Sequence, residues 1–96
     1  MRASHPLNVH REQVRAIARR HRATAVRVFG SVARGDDSEG SDVDLIVDMS
    51  AGATLFDVGA IQHEVSELLG IDVDVLTPGA LPDRHRERIL ADAQPL

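Results

Sequence analysis

The sequence has no cysteine, no lysine, no tyrosine and no tryptophan, and only two aromatic residues, Phe29 and Phe56. Without cysteine there are no disulfides and no thiolate metal sites. With two aromatics there is no platform on which successive bases could stack, so direct nucleic-acid binding is not expected. No apolar run approaches the length of a membrane span, and no N-terminal stretch reads as a secretory signal. The expected location is the cytoplasm.

The 96 residues suffice for one domain, 1–96, with a modest core. All eleven basic residues are arginine. Residues 1–34 hold eight of them against one glutamate, whereas residues 35–96 hold three against fourteen acids. The basic half suits a solvated helix face or a surface for an acidic partner.

Hydrophobic spacing predicts a helix over 9–22, capped by Asn8, with Val14, Ile17, Ala18 and His21 inward. A strand follows at 25–29, then a helical turn SVARG and a polar loop in which Asp36, Asp37 and Glu39 serve solubility. A second strand is expected at 42–49. Thr54 and Asp57 read as a capping box opening a helix that ends at Leu69–Gly70. Its expected apolar stripe is Leu55, Phe56, Ile61, Val65, Leu68 and Leu69. A third strand at 71–76, a Pro78-Gly79 turn and a helix at 83–93 with Ile89, Leu90 and Ala93 inward complete the chain. The tail QPL is expected to fray. This order predicts an α/β (α+β) domain, a small mixed sheet with helices packed mainly on one face.

Strand side chains alternate, so residues two apart share a face. Val43, Leu45, Val47 and Met49 then form one face of strand two, and Asp42, Asp44, Ile46 and Asp48 the other. Strand three repeats the pattern, with Asp72 and Asp74 opposite Val73 and Val75. Aspartate is poor in strands. Aligned apolar faces would gather Asp42, Asp44 and one or both of Asp72 and Asp74. Carboxylates so close raise one another's pKa unless a cation lies between them. Mg²⁺ is the natural choice, because it takes a few carboxylates plus substrate phosphates. The alternative is a wet outer face.

Gly30-Ser31 ends strand one. A glycine there admits a ligand close to the backbone, a following helical turn offers free N–H groups to phosphate, and Arg34 adds a cationic fork. The pair alone is weak evidence. A strand ending in Gly-Ser, ten intervening residues, an Asp-x-Asp opening the next strand and a third acid on a later one make a specific pattern.

The stretches VFGSVARG (28–35), SDVDLIV (41–47) and GIDVDVLTPGAL (70–81) resemble the nucleotidyltransferases that include DNA polymerase β, and more closely the minimal nucleotidyltransferases. The likeness runs from about Val26 to the final helix. It implies the nucleotidyltransferase fold. It also implies that Gly30, Ser31 and Arg34 hold a nucleotide triphosphate, and that Asp42, Asp44 and Asp74 bind Mg²⁺ and serve the chemistry. Asp72 stays open as the third carboxylate. The five histidines are scattered without ligand spacing and are expected to be non-catalytic. Many minimal nucleotidyltransferases are antitoxins of HEPN-domain ribonuclease toxins, and some transfer AMP from ATP to a toxin tyrosine. The resemblance therefore implies an adenylyltransferase acting on such a partner. The alternatives are an antitoxin that works by contact alone, or a transferase for a small molecule. The basic segment or the last helix could dock the partner or a second copy of this chain.

Overall fold

The computed structural model describes residues 2–38, 40 and 42–96. Met1, Ser41 and Glu39, including the solubility role expected of Glu39, lie outside the described residues. The elements in order are α1 (Ser4–Val9), α2 (Arg11–Arg20), β1 (Ala23–Phe29), α3 (Gly30–Arg34), β2 (Val43–Met49), α4 (Leu55–Leu69), β3 (Val73–Leu76), a 3-10 turn (Pro78–Ala80), α5 (Asp83–Asp92) and β4 (Gln94–Pro95).

The sheet order is β3-β2-β1-β4. β1 runs antiparallel to β2 and to β4, while β2 and β3 are parallel. A parallel pair needs a long crossover, and α4 supplies it. α4 starts where the sequence says it should: Thr54 N–H donates to Asp57 Oδ2 at 2.9 Å and Phe56 N–H to Thr54 Oγ1 at 3.2 Å. It stops at Gly70, which adopts the left-handed conformation, φ 70°.

The main core lies on the face of Val43, Leu45, Val47, Val73, Val75 and Val28, covered by Val14, Ile17 and Ala18 of α2 and Ile61, Val65 and Leu69 of α4. Ile46 and Leu81 are also buried but stand apart from this cluster. The 3-10 turn packs on β2 there, so the second face is partly shielded too. No helix among the described residues is long and apolar enough to cross a membrane.

Several expectations change. The single helix over 9–22 is two helices that meet at His10, and Asn8 lies within the first of them. The reason is a long-range tether. Asp37, expected merely to keep a loop soluble, has a fully buried side chain. It accepts from Ser4 N–H at 3.0 Å and from Arg2 Nη2 at 2.9 Å, and Arg2 also donates to Gly35 O. The tether turns α1 back so that Ala3 and Leu7 enter the core.

Leu55 and Phe56 are 85% and 91% exposed rather than inward. At about 100° per residue, Phe56 lies about 140° around the helix from Ile61, away from the buried Ile61–Val65–Leu69 stripe. His21 is half-buried at the end of α2, where its Nε2 meets Glu64 of α4. Ile89, Leu90 and Ala93 are only half-buried.

The tail does not fray. Gln94 and Pro95 pair with Val28 and Arg27, Leu96 N–H donates to Val26 O at 3.0 Å, and Leu96 is buried. An otherwise open edge of β1 takes up the final residues.

Asp37→Ala should cost about 1–3 kcal/mol, because it removes a buried carboxylate and leaves the half-buried Ser4 N–H without that acceptor. The Ser4 N–H, and then Arg2, hold the Asp37 carboxyl below its ordinary value. Its contribution is therefore present above the unfolded carboxylate pKa of about 3.9 and is lost as pH falls through the lower folded value. Urea melts of both proteins at about pH 7 and about pH 3 should show the difference between them shrinking on acidification.

Candidate active site

The sheet register sets two of the expected carboxylates side by side, next to the end of β1. Asp44 is the strand neighbour of Phe29 on one side and of Asp74 on the other. Phe29 ends β1, and the chain turns there into α3 at Gly30. This turn has φ +76°, and a Cβ placed on Gly30 would lie 2.7 Å from Asp44 Oδ2. Glycine is required twice over here, by the left-handed backbone and by the carboxylate against it.

Asp42, just before β2, is exposed, Asp44 is half-buried, and Asp74 is exposed. Burial, together with the Asp74 and Asp42 charges, raises the Asp44 pKa. Asp74 is the register partner of Asp44, whereas Asp72 precedes β3 and its carbonyl accepts from Val43 N–H. Asp48, further along the same face, is held by Arg27 Nη2 at 3.2 and 3.4 Å. Among the described residues, no three Asp, Glu or His side chains converge into a ready metal cage. Such an open set of carboxylates suits Mg²⁺, which keeps water and substrate oxygens in its shell.

Gly30 also lines a cavity of about 470 Å³. Phe29, Gly30 and Arg34 form one wall, and His85, Arg88, Ile89 and Asp92 of α5 form the other. Its size falls in the usual range for small-molecule sites. Arg34 Nε reaches Asp36 at 3.3 Å. The α5 wall was not foreseen. The spacing of His85, Arg88 and Asp92 marks one helix face, but nothing in the sequence says that this face meets the Gly-Ser turn.

A family model described as nucleotidyltransferase domain matches residues 10–96. A Methanocaldococcus jannaschii protein, assigned by name to the protein adenylyltransferases, is 33% identical over 87 residues, covering 91% of this chain and 94% of its own. A solved structure described as a minimal nucleotidyltransferase has a TM-score of 0.84 at 44% identity, covering 94% of this chain and 92% of that one. A toxin–antitoxin crystal structure with AMP-PNP matches in fold, with a TM-score of 0.74 at 15% identity over 88% of this chain and 69% of that one.

Proposed function

Because the chain belongs to the nucleotidyltransferase domain family, we propose that it transfers AMP from ATP to a tyrosine hydroxyl of a HEPN-type toxin, as that toxin's antitoxin. The observation that carries this reading is Gly30 held against Asp44, with Asp74 alongside. The protein adenylyltransferase relative and the toxin–antitoxin structure with AMP-PNP support the substrate and the partner class.

In this reading Gly30, Ser31 and Arg34 seat the triphosphate. Asp42, Asp44 and Asp74 would hold Mg²⁺, which would neutralise charge on the phosphates. Asp74 takes the proton from the acceptor hydroxyl. The hydroxyl oxygen bonds to the α-phosphorus, the bond to the bridging oxygen breaks, and pyrophosphate leaves. Gly30 sets how near the triphosphate can come to the carboxylates.

The test mixes the protein with its co-encoded neighbour, Mg²⁺ and ATP, and weighs both chains. An AMP-sized gain on the neighbour, absent with Asp42→Ala, is the expected result. No gain on either chain, with a tight complex still formed, would instead favour an antitoxin acting by contact. Protection of cells from an aminoglycoside would favour a small-molecule transferase.

A further inference from the structure

α5 is fixed at both ends. Arg86 Nε donates to Pro78 O at 3.0 Å and its Nη2 to Gly79 O at 3.3 Å and to Leu81 O at 2.9 Å. Two residues past its last turn, Gln94 is paired with Val28 of β1. The helix is thus held against the Gly-Ser turn with His85, Arg88, Ile89 and Asp92 toward the cavity.

The cations on the two walls differ in one respect. Arg34 is already engaged by Asp36. Arg88 has no hydrogen bond or ion pair among the described residues, although it faces a cavity large enough for a small molecule. An ATP with one divalent ion keeps a net negative charge. Gly30 lines the cavity, and a Cβ placed on it would lie 2.7 Å from Asp44 Oδ2. A guanidinium is suited to phosphate oxygens, to which it can offer two parallel N–H donors.

We propose that Arg88, with His85 one turn earlier on the same face of α5, binds the terminal phosphates of the nucleotide and so discriminates a triphosphate from a monophosphate. The proposal rests on the nucleotidyl-transfer reading above. It assigns α5 to the substrate site, whereas the sequence motifs lie wholly outside that helix. Asp92, an acceptor in the same cavity, would oppose phosphate and suits a hydroxyl or amino group of the ligand.

The experiment is calorimetric titration of the full chain with ATP, ADP and AMP in Mg²⁺, for the wild type, Arg88→Ala, Arg88→Lys and His85→Gln. Arg88→Ala should weaken ATP about 10- to 100-fold, the worth of one or two charge-assisted bonds, and weaken AMP far less. Arg88→Lys should recover part of the loss, and His85→Gln should show a smaller loss with ATP only. All variants should melt within a few degrees of the wild type, because both residues are exposed and neither side chain makes a hydrogen bond or ion pair among the described residues. Unchanged ATP affinity in Arg88→Ala, with the wild type binding normally, overturns the role of α5 and leaves the transfer reading standing. An equal loss for ATP and AMP overturns the discrimination. A wild type that binds no nucleotide overturns both readings.

Discussion

Asp44→Asn should lower AMP transfer by about 10³-fold or more while the apo protein becomes more stable than the wild type. The first effect follows from removing a charge placed where the reacting phosphates and their cation would be stabilised, which in enzymes is worth several kcal/mol. The second follows from Asp44's surroundings: burial first, then Asp74 and Asp42, disfavour its charged form. A carboxyl whose folded pKa is raised binds more protons in the native state than in the unfolded chain. Wild-type stability therefore falls as pH rises from the unfolded value of about 3.9 through the raised folded value. The asparagine variant lacks this term. Thermal melts without metal, from about pH 4 to about pH 7, should show the variant's advantage growing with pH, alongside a gel or mass assay of transfer. A variant that transfers AMP at the wild-type rate, or that is less stable at neutral pH, would contradict the role given to this carboxylate.

Gly30→Ala should cost both stability and activity. A left-handed backbone carries about 1–2 kcal/mol of penalty for a residue with a Cβ, and the new methyl would sit 2.7 Å from Asp44 Oδ2. Real contacts of this kind do not exist, so the carboxylate or the turn must move. A displacement of about 1 Å at a reacting centre can reduce rate about 10²-fold. The expected signature is a modest drop in melting temperature with a much larger loss in kcat than the stability change explains. By contrast, Gly35 also has φ +76° but no atom within 4 Å of its would-be Cβ. Gly35→Ala should therefore show a stability loss from the same backbone penalty and little change in transfer. Equal loss of transfer in both variants would mean that the contact with Asp44 is incidental.

The acidic face was legible because alternation is a strong signal: parity puts Asp42, Asp44 and Asp48 on one side of one strand and Asp72 and Asp74 on one side of another, while the preference for Asp74 comes from the family resemblance, and the Gly-Ser turn follows from a strand that stops. The capping box of α4 was equally plain, since Thr54 and Asp57 satisfy each other's neighbourhood without help from elsewhere. What failed was whatever depends on distant partners. Asp37 looks like any loop acid until Ser4 and Arg2 fold onto it. Gln94 and Pro95 carry no strand propensity, and only the unfilled edge of β1 recruits them. Leu55 and Phe56 show the opposite error: hydrophobic character pointed inward, but the helix rotation set by Ile61, Val65 and Leu69 turns them out. Arg88 belongs with the first group, because its placement is decided by the Arg86 brace and by β4 together.

Synthesis proceeds from the N-terminus, and the pairing of β4 with β1 then has a temporal meaning. Gly30, Asp42, Asp44 and Asp74 have all been made by the time Leu76 is added, whereas Gln94, which pins the far end of α5 to Val28, comes close to the end of this sequence. Contacts between residues so far apart in the chain are slow to form. A nascent molecule thus passes through a stage in which β2 and β3 can already lie side by side with the Gly30 turn against Asp44, before α5 closes the other wall of the cavity. The second wall of the cavity is therefore set only once Gln94 and Pro95 have zipped onto the free edge of β1.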